Sequence, residues 1–191
     1  EGGIQHIKEL DNGNTRLTVS YDKNKGLSTQ LEKATQKELE FYIRDTPQYP
    51  YTTKIISELL SSAVKNGKND IERIVELRNF VSEYIEDDYE SNSLSVFNTI
   101  KTKKGDCTEH AHLFTTLARA AGFSTKEVGG WAYDGNGRFI PHAWAEVAVK
   151  MEDDYYWLPV DPTWDINIPV VHIKESPENI SGKFSLVPKK V

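Results

Sequence analysis

Apolar residues in the middle of the chain recur at helical spacing. Ile55, Ile56, Leu59, Leu60, Ala63 and Val64 fall on one stripe, and Gly67 follows as a stop signal. Asp70 reads as the N-cap of a second helix with Ile71, Ile74, Val75, Val81 and Ile85 along its apolar stripe. A third helix opens at Asp106-Cys107-Thr108-Glu109, which has the spacing of a capping box. Ala111, Phe114, Leu117, Ala118 and Ala121 give it one apolar face, and Gly122 stands at the C′ position.

Beyond Gly122 the period changes from 3.6 to 2. Thr125 to Tyr133 reads as a strand, Asp134-Gly135-Asn136-Gly137 as a turn, and His142 to Val149 and Tyr155 to Val160 as further strands. His172 falls in a late strand without an assigned role. The pattern predicts an α+β core: a buried helix carrying Cys107 at its N-terminus, packed on an antiparallel sheet that carries His142 and Asp161.

The first fifty residues are less regular. Arg16 to Tyr21 has weak strand character after an Asp11-Asn12-Gly13 turn, and Leu31 to Ile43 is ambiguous between helix and extended arm. Thr46-Pro47-Gln48-Tyr49-Pro50 breaks the pattern. A boundary is placed there, dividing an arm over 1–50, the end of a preceding region, from a core over 51–191.

Composition narrows the function without naming it. The chain has 191 residues and a net charge of -6. That balance disfavours nucleic-acid binding. No apolar run reaches the length of a membrane span. The start, Glu1-Gly2-Gly3 without Met, reads as a trimmed or mature fragment. The single cysteine cannot form an internal disulfide or nucleate a cysteine-rich zinc site.

Cys107 therefore takes its meaning from its surroundings. A helix N-terminus and a nearby imidazolium are the two features that turn a thiol into a thiolate nucleophile. The helix supplies the first, and His142 can supply the second. A carboxylate at Asp161, at the end of the next strand, would fix the tautomer of His142 and stabilise its charge. Each residue taken alone has a plainer reading: a small hydrophobe, a structural histidine, and a turn aspartate before proline. The order, context and element types together favour chemistry.

Four segments carry a resemblance. They are Lys104-Gly105-Asp106-Cys107-Thr108-Glu109-His110-Ala111, Leu117-Ala118-Arg119-Ala120-Ala121-Gly122-Phe123, Pro141-His142-Ala143-Trp144-Ala145-Glu146-Val147, and Trp157-Leu158-Pro159-Val160-Asp161-Pro162-Thr163. In order, with 35 residues from Cys107 to His142 and 19 from His142 to Asp161, they resemble the transglutaminase-like superfamily of papain-like fold, in its bacterial form. The resemblance implies Cys107 as nucleophile, His142 as general base and acid, and Asp161 as the orienting carboxylate. It implies attack on carboxamide or peptide bonds of a protein or peptide substrate through a thioester. Water or a primary amine acceptor then resolves the acyl-enzyme. Hydrolysis is slightly favoured, since the flanking β-domains of the large cross-linking enzymes are missing from the sequence. No cofactor and no metal are implied. An exported or cell-envelope location follows from family analogy alone.

One departure concerns the oxyanion hole. Several members place a Trp upstream of the Cys, but Tyr89 to Lys104 contains none. The Cys107 N–H remains as one donor, with Tyr84 or Tyr89 as weak candidates for another. Trp131 and Tyr133 read mostly as packing. His110 could tune Cys107, though a core-edge role is the simpler reading. Cys107, His110 and His112 do not share one helical face and make a poor metal set. Asn179-Ile180-Ser181 matches a glycosylation sequon and carries little by itself. The alternative function is a non-catalytic protein-binding module on the same fold. The catalytic reading makes a geometric demand: the His142 ring must meet Cys107 on one side and Asp161 on the other, and a structure with either pair far apart would sink it.

Overall fold

The structure is a computed structural model. It describes residues 5–174 apart from 12, 14, 91, 92, 94, 165 and 168–171. The sequon at Asn179 lies outside the described residues. An antiparallel hairpin, β1 (Gln5–Glu9) and β2 (Thr15–Val19), comes first. Helices α1 (Gln36–Tyr42), α2 (Lys54–Ala63) and α3 (Asp70–Tyr84) follow. A short strand β3 (Glu86–Asp87), helix α4 (Val96–Thr102) and strand β4 (Lys104–Gly105) lead into α5 (Cys107–Ala120). The main sheet is β5 (Thr125–Tyr133), β6 (Phe139–Met151), β7 (Asp154–Asp161), β8 (Ile166–Asn167) and β9 (His172–Lys174). Its five strands run in the order β8-β7-β6-β5-β9, and every pairing is antiparallel. Among the described residues no helix is long and apolar enough to cross a membrane.

The expected α+β architecture is present, with some local differences. Asn69, not Asp70, caps α3: its side chain accepts from the Glu72 N–H at 2.9 Å, and Asp70 is the first helical residue. Both positions favour Asn or Asp, because a cap needs an acceptor and the first turn favours negative charge. Ile71, expected on the apolar stripe, is an exposed residue, while Leu77 is fully buried. Helix α4 has no counterpart in the sequence reading. Its seven residues are too few to establish a period, and it ends on Lys103 in the left-handed conformation (φ 55°). The ambiguous stretch before residue 43 resolves into α1, opened by a Thr35–Glu38 capping box.

Helix α5 is the central element. Leu113, Phe114, Leu117 and Ala118 pack against Ala145, Val147, Val149, Leu158 and Val160 of the sheet and against Ile74, Leu77 and Val81 of α3. Its capping box is complete, and Gly122 takes the positive φ of 92° that ends it. Residues 31–42 cover the other face of the sheet. Ala34, Leu39 and Tyr42 pack on Ala148 and Trp157, while the Ala34 N–H donates to the Tyr155 carbonyl and the Trp157 N–H to the Glu32 carbonyl.

Two glycines hold chemistry-bearing segments in place. A Cβ on Gly105 would overlap the side chain of Glu109, so β4 could not run so close to the first turn of α5. A Cβ on Gly130 would overlap the Ile173 carbonyl and crowd Trp144, so β9 could not pair with β5. Gly105→Ala is therefore expected to destabilise the protein by about 1–3 kcal/mol through overpacking. Urea denaturation measures the change, and a midpoint equal to the wild type would refute the close approach.

Candidate active site

Cys107 is the first residue of α5. Its position is fixed by the cap: the Asp106 side chain accepts from Thr108 N–H at 2.7 Å, and Glu109 Oε2 accepts from Asp106 N–H at 2.9 Å. Glu109 is 2% exposed, and its Oε1 also accepts from Ser93 N–H at 2.7 Å. One buried carboxylate thus ties the helix start to the preceding loop. As a first-turn amide, the Cys107 N–H has no intrahelical acceptor and points out of the helix end. The thiol is partly accessible.

His142 comes from β6, opposite Gly130 on β5. Asp161 ends β7, one residue past the Val160–Ala145 pair. The strands set the two side chains beside each other, with His142 Nε2 donating to Asp161 Oδ2 at 2.9 Å. Cys107 is the second group that favours the charged His142 ring. With Nε2 on Asp161, Nδ1 is the ring nitrogen left for another partner. The structure joins His142 and Asp161 by a hydrogen bond, with Cys107 near enough to act on the charge of the His142 ring.

The electrostatics follow from burial and partners. His142 is 6% exposed and Asp161 is 0% exposed. Burial works against a charged His142, but hydrogen bonds and negative charge from Asp161 and Cys107 outweigh it and raise its pKa to about 9. Burial favours a protonated Asp161, yet hydrogen bonds from His142 and His172 hold its carboxyl far below the usual range. The site thus favours imidazolium beside carboxylate at neutral pH.

Two members of the cluster had no role in the sequence reading. His172 of β9 donates from Nε2 to the same Asp161 Oδ2 at 2.7 Å. Trp164 stacks on the His142 ring, centroids 4.3 Å apart and planes at 19°. It sits just after Asp161-Pro162-Thr163, where the backbone turns and the N–H groups of Thr163 and Trp164 donate to Asp161 Oδ1 at 2.9 and 3.2 Å. Proximity to the Asp161 turn was the available signal for Trp164. Nothing local marked His172. His142, Asp161 and His172 bring ligand-type atoms within 4.8 Å of one another, close enough for a metal to bridge. The two hydrogen bonds to a single oxygen already account for that closeness.

Other candidates fall away or take structural roles. Tyr84 donates its hydroxyl to the Ile100 carbonyl at 3.0 Å and is thus engaged elsewhere. Tyr89 is 84% exposed beyond β3. His110 is buried with Nδ1 on the Asp106 carbonyl at 2.8 Å, which supports the helix start. His112 points away from Cys107, toward the Gln48 carbonyl at 2.7 Å and Glu127 at 3.1 Å.

The sequence model of the transglutaminase-like superfamily matches residues 57–162, more than half of the chain. No curated protein matches it. A solved structure from Cytophaga hutchinsonii, provisionally described as a cysteine protease, is similar with a TM-score of 0.61 at 19% identity, covering 73% of this chain and 46% of that one. The periplasmic domain of TgpA from Pseudomonas aeruginosa gives 0.49 at 18% identity over 69% and 49% of the two chains. The chain spans about half the length of either. At 19% identity the likeness to the Cytophaga hutchinsonii structure is one of fold.

A raised His142 pKa makes stability depend on pH. A group with a raised folded-state pKa contributes fully below its unfolded value, about 6.5 for histidine, and loses that contribution as pH rises through about 9. Unfolding free energy should fall across this window by about 3 kcal/mol. Denaturation of the wild type and His142→Gln between pH 6 and 10 tests it. An equal slope in both proteins would mean that the imidazolium is not stabilised.

Proposed function

Since the chain belongs to the transglutaminase-like superfamily, we propose that it is a thiol-dependent acyl-transfer enzyme acting on carboxamide or peptide bonds of proteins or peptides, with Cys107, His142 and Asp161 as its triad. The observation that carries this reading is the buried His142–Asp161 Oδ2 hydrogen bond, on a ring whose charge Cys107 at the start of α5 also favours.

The steps follow from that geometry. The Cys107 thiolate attacks the carbonyl carbon, the C–S bond forms, and the carbonyl oxygen becomes an oxyanion. The Cys107 N–H at the helix start is placed to donate to that oxygen. The intermediate collapses with cleavage of the C–N bond. The proton on His142 Nδ1 passes to the nitrogen, and ammonia or an amine leaves. Water then attacks the thioester and gives its proton to Nδ1. The C–S bond breaks, the acid departs, and the thiolate–imidazolium pair returns. Asp161 keeps the ring oriented and stays ionised throughout. Because Cys107 is partly accessible, water can reach the thioester, and hydrolysis is the default outcome. A primary amine in the same position would give transfer.

Iodoacetamide alkylation of Cys107 tests the pairing without a known substrate. The rate at pH 6–7 should be at least tenfold higher in the wild type than in His142→Ala, because the imidazolium favours the thiolate. Equal rates would refute the ion pair and favour a non-catalytic binding module. With a glutamine-containing peptide library, Cys107→Ala should fold normally and release neither ammonia nor cleaved product. Asp161→Asn should retain part of the activity, with the imidazole misoriented. Adding a primary amine separates transfer from hydrolysis by the mass of the product.

A further inference from the structure

His172 is the least explained buried titratable side chain. It is 3% exposed, and Gly130 makes its strand possible by leaving room for β9 against β5. Its Nε2 hydrogen bond to Asp161 Oδ2 is 2.7 Å long, and the His142 bond to that same oxygen is 2.9 Å. Among the described residues its buried Nδ1 has no hydrogen-bond partner. The ring meets those of His142, Trp144 and Trp164 edge to face, at centroid distances of 5.0, 5.0 and 5.3 Å.

This arrangement exceeds what orientation of Asp161 requires. The Thr163 and Trp164 amides already clamp Oδ1. The His172 bond falls instead on the oxygen that serves His142. A carboxylate oxygen that accepts from two N–H groups offers less negative charge to each. The unpartnered Nδ1 also has a cost, since a buried polar atom without a partner is unfavourable by about 1–3 kcal/mol. A purely structural residue at this place would be better replaced by an apolar ring.

We propose that His172 is a positioning residue of the triad, a second imidazole that shares Asp161 Oδ2 with His142 and weakens the carboxylate's stabilisation of the His142 imidazolium, so that the proton on its Nδ1 passes more readily to the leaving nitrogen. The proposal rests on the triad reading above. It requires His172 to be neutral with its proton on Nε2. Burial and the nearby His142 charge favour the neutral ring over the pull of Asp161. The titratable groups around it are Asp161 on β7, His142 on β6, Cys107 behind His142, and the Lys174–Glu146 pair further along the sheet, where Nζ lies 2.9 Å from Oε2. An acid with a pKa of about 9 already lies above neutral pH, and tighter retention of its proton would slow the departure of the amine.

The test is an NMR titration of isotopically labelled histidines in the intact chain. In His172→Phe, which keeps an aromatic ring and removes the N–H, the His142 titration should move up by about one pH unit, a tenfold tighter proton. In His172→Gln, which restores an N–H donor, it should return toward the wild type. An unchanged or lowered His142 titration in His172→Phe would overturn the proposal. Should that variant fail to fold, the wild type alone decides: His172 must show the neutral Nε2–H tautomer at pH 7, and a charged ring or an Nδ1–H tautomer would refute it. Failure of the triad is read separately, as Cys107 alkylation that is indifferent to His142→Ala.

Discussion

Asp161 is a carboxylate with no solvent exposure, and burying an ion without partners costs several kcal/mol. The fold meets that cost with four hydrogen bonds, two on each oxygen. Oδ1 closes the turn through the Thr163 and Trp164 amides, as an aspartate before proline commonly does. Oδ2 receives the two imidazoles. The turn-former role of this residue and its hydrogen bond to His142 therefore coexist, one on each oxygen. The turn fixes the carboxylate, and the carboxylate fixes His142.

The surroundings strengthen this chain of contacts. Trp164 covers one face of the His142 ring, and Trp144 and His172 stand around it. Excluding water from the His142–Asp161 bond lowers the local dielectric and makes the interaction stronger than it would be at a surface. The same exclusion forces every polar atom in the cluster to find a partner inside the protein. Among the described residues His172 Nδ1 finds none, which is why a second imidazole on the aspartate calls for a functional explanation.

A second buried carboxylate does related work at the other end of the site. Glu109 holds the Asp106 and Ser93 amides and so locks the start of α5 in place. Gly105 permits this because no side chain stands between β4 and the helix. The thiol is thus presented by a rigid helix end packed on a large core, and the imidazole by a central strand of the sheet. Neither depends on a long loop, which suits a reaction that needs its groups held within a few tenths of an ångström.

Much of this was legible in local sequence. The Asp106–Glu109 box, the apolar face of α5, the alternation of β5, β6 and β7 and the position of Cys107 all follow from neighbours within a few residues, where 3.6-fold and twofold periods and capping rules apply. The Cys107, His142 and Asp161 segments stood out for the same reason. Helix α4 and the exact start of α3 did not, because a seven-residue helix has too few turns to set a period and adjacent Asn69 and Asp70 both suit a cap. His172 lay beyond reach altogether. Its meeting with Asp161 depends on β9 pairing with β5 across a glycine 42 positions earlier in the chain, and such a pairing leaves no periodic mark near His172. The sequence by itself determined which elements form and which residue types they carry. Only the tertiary structure decided which side chains share the Asp161 carboxylate, because hydrogen bonding between distant strands depends on register and close backbone approach.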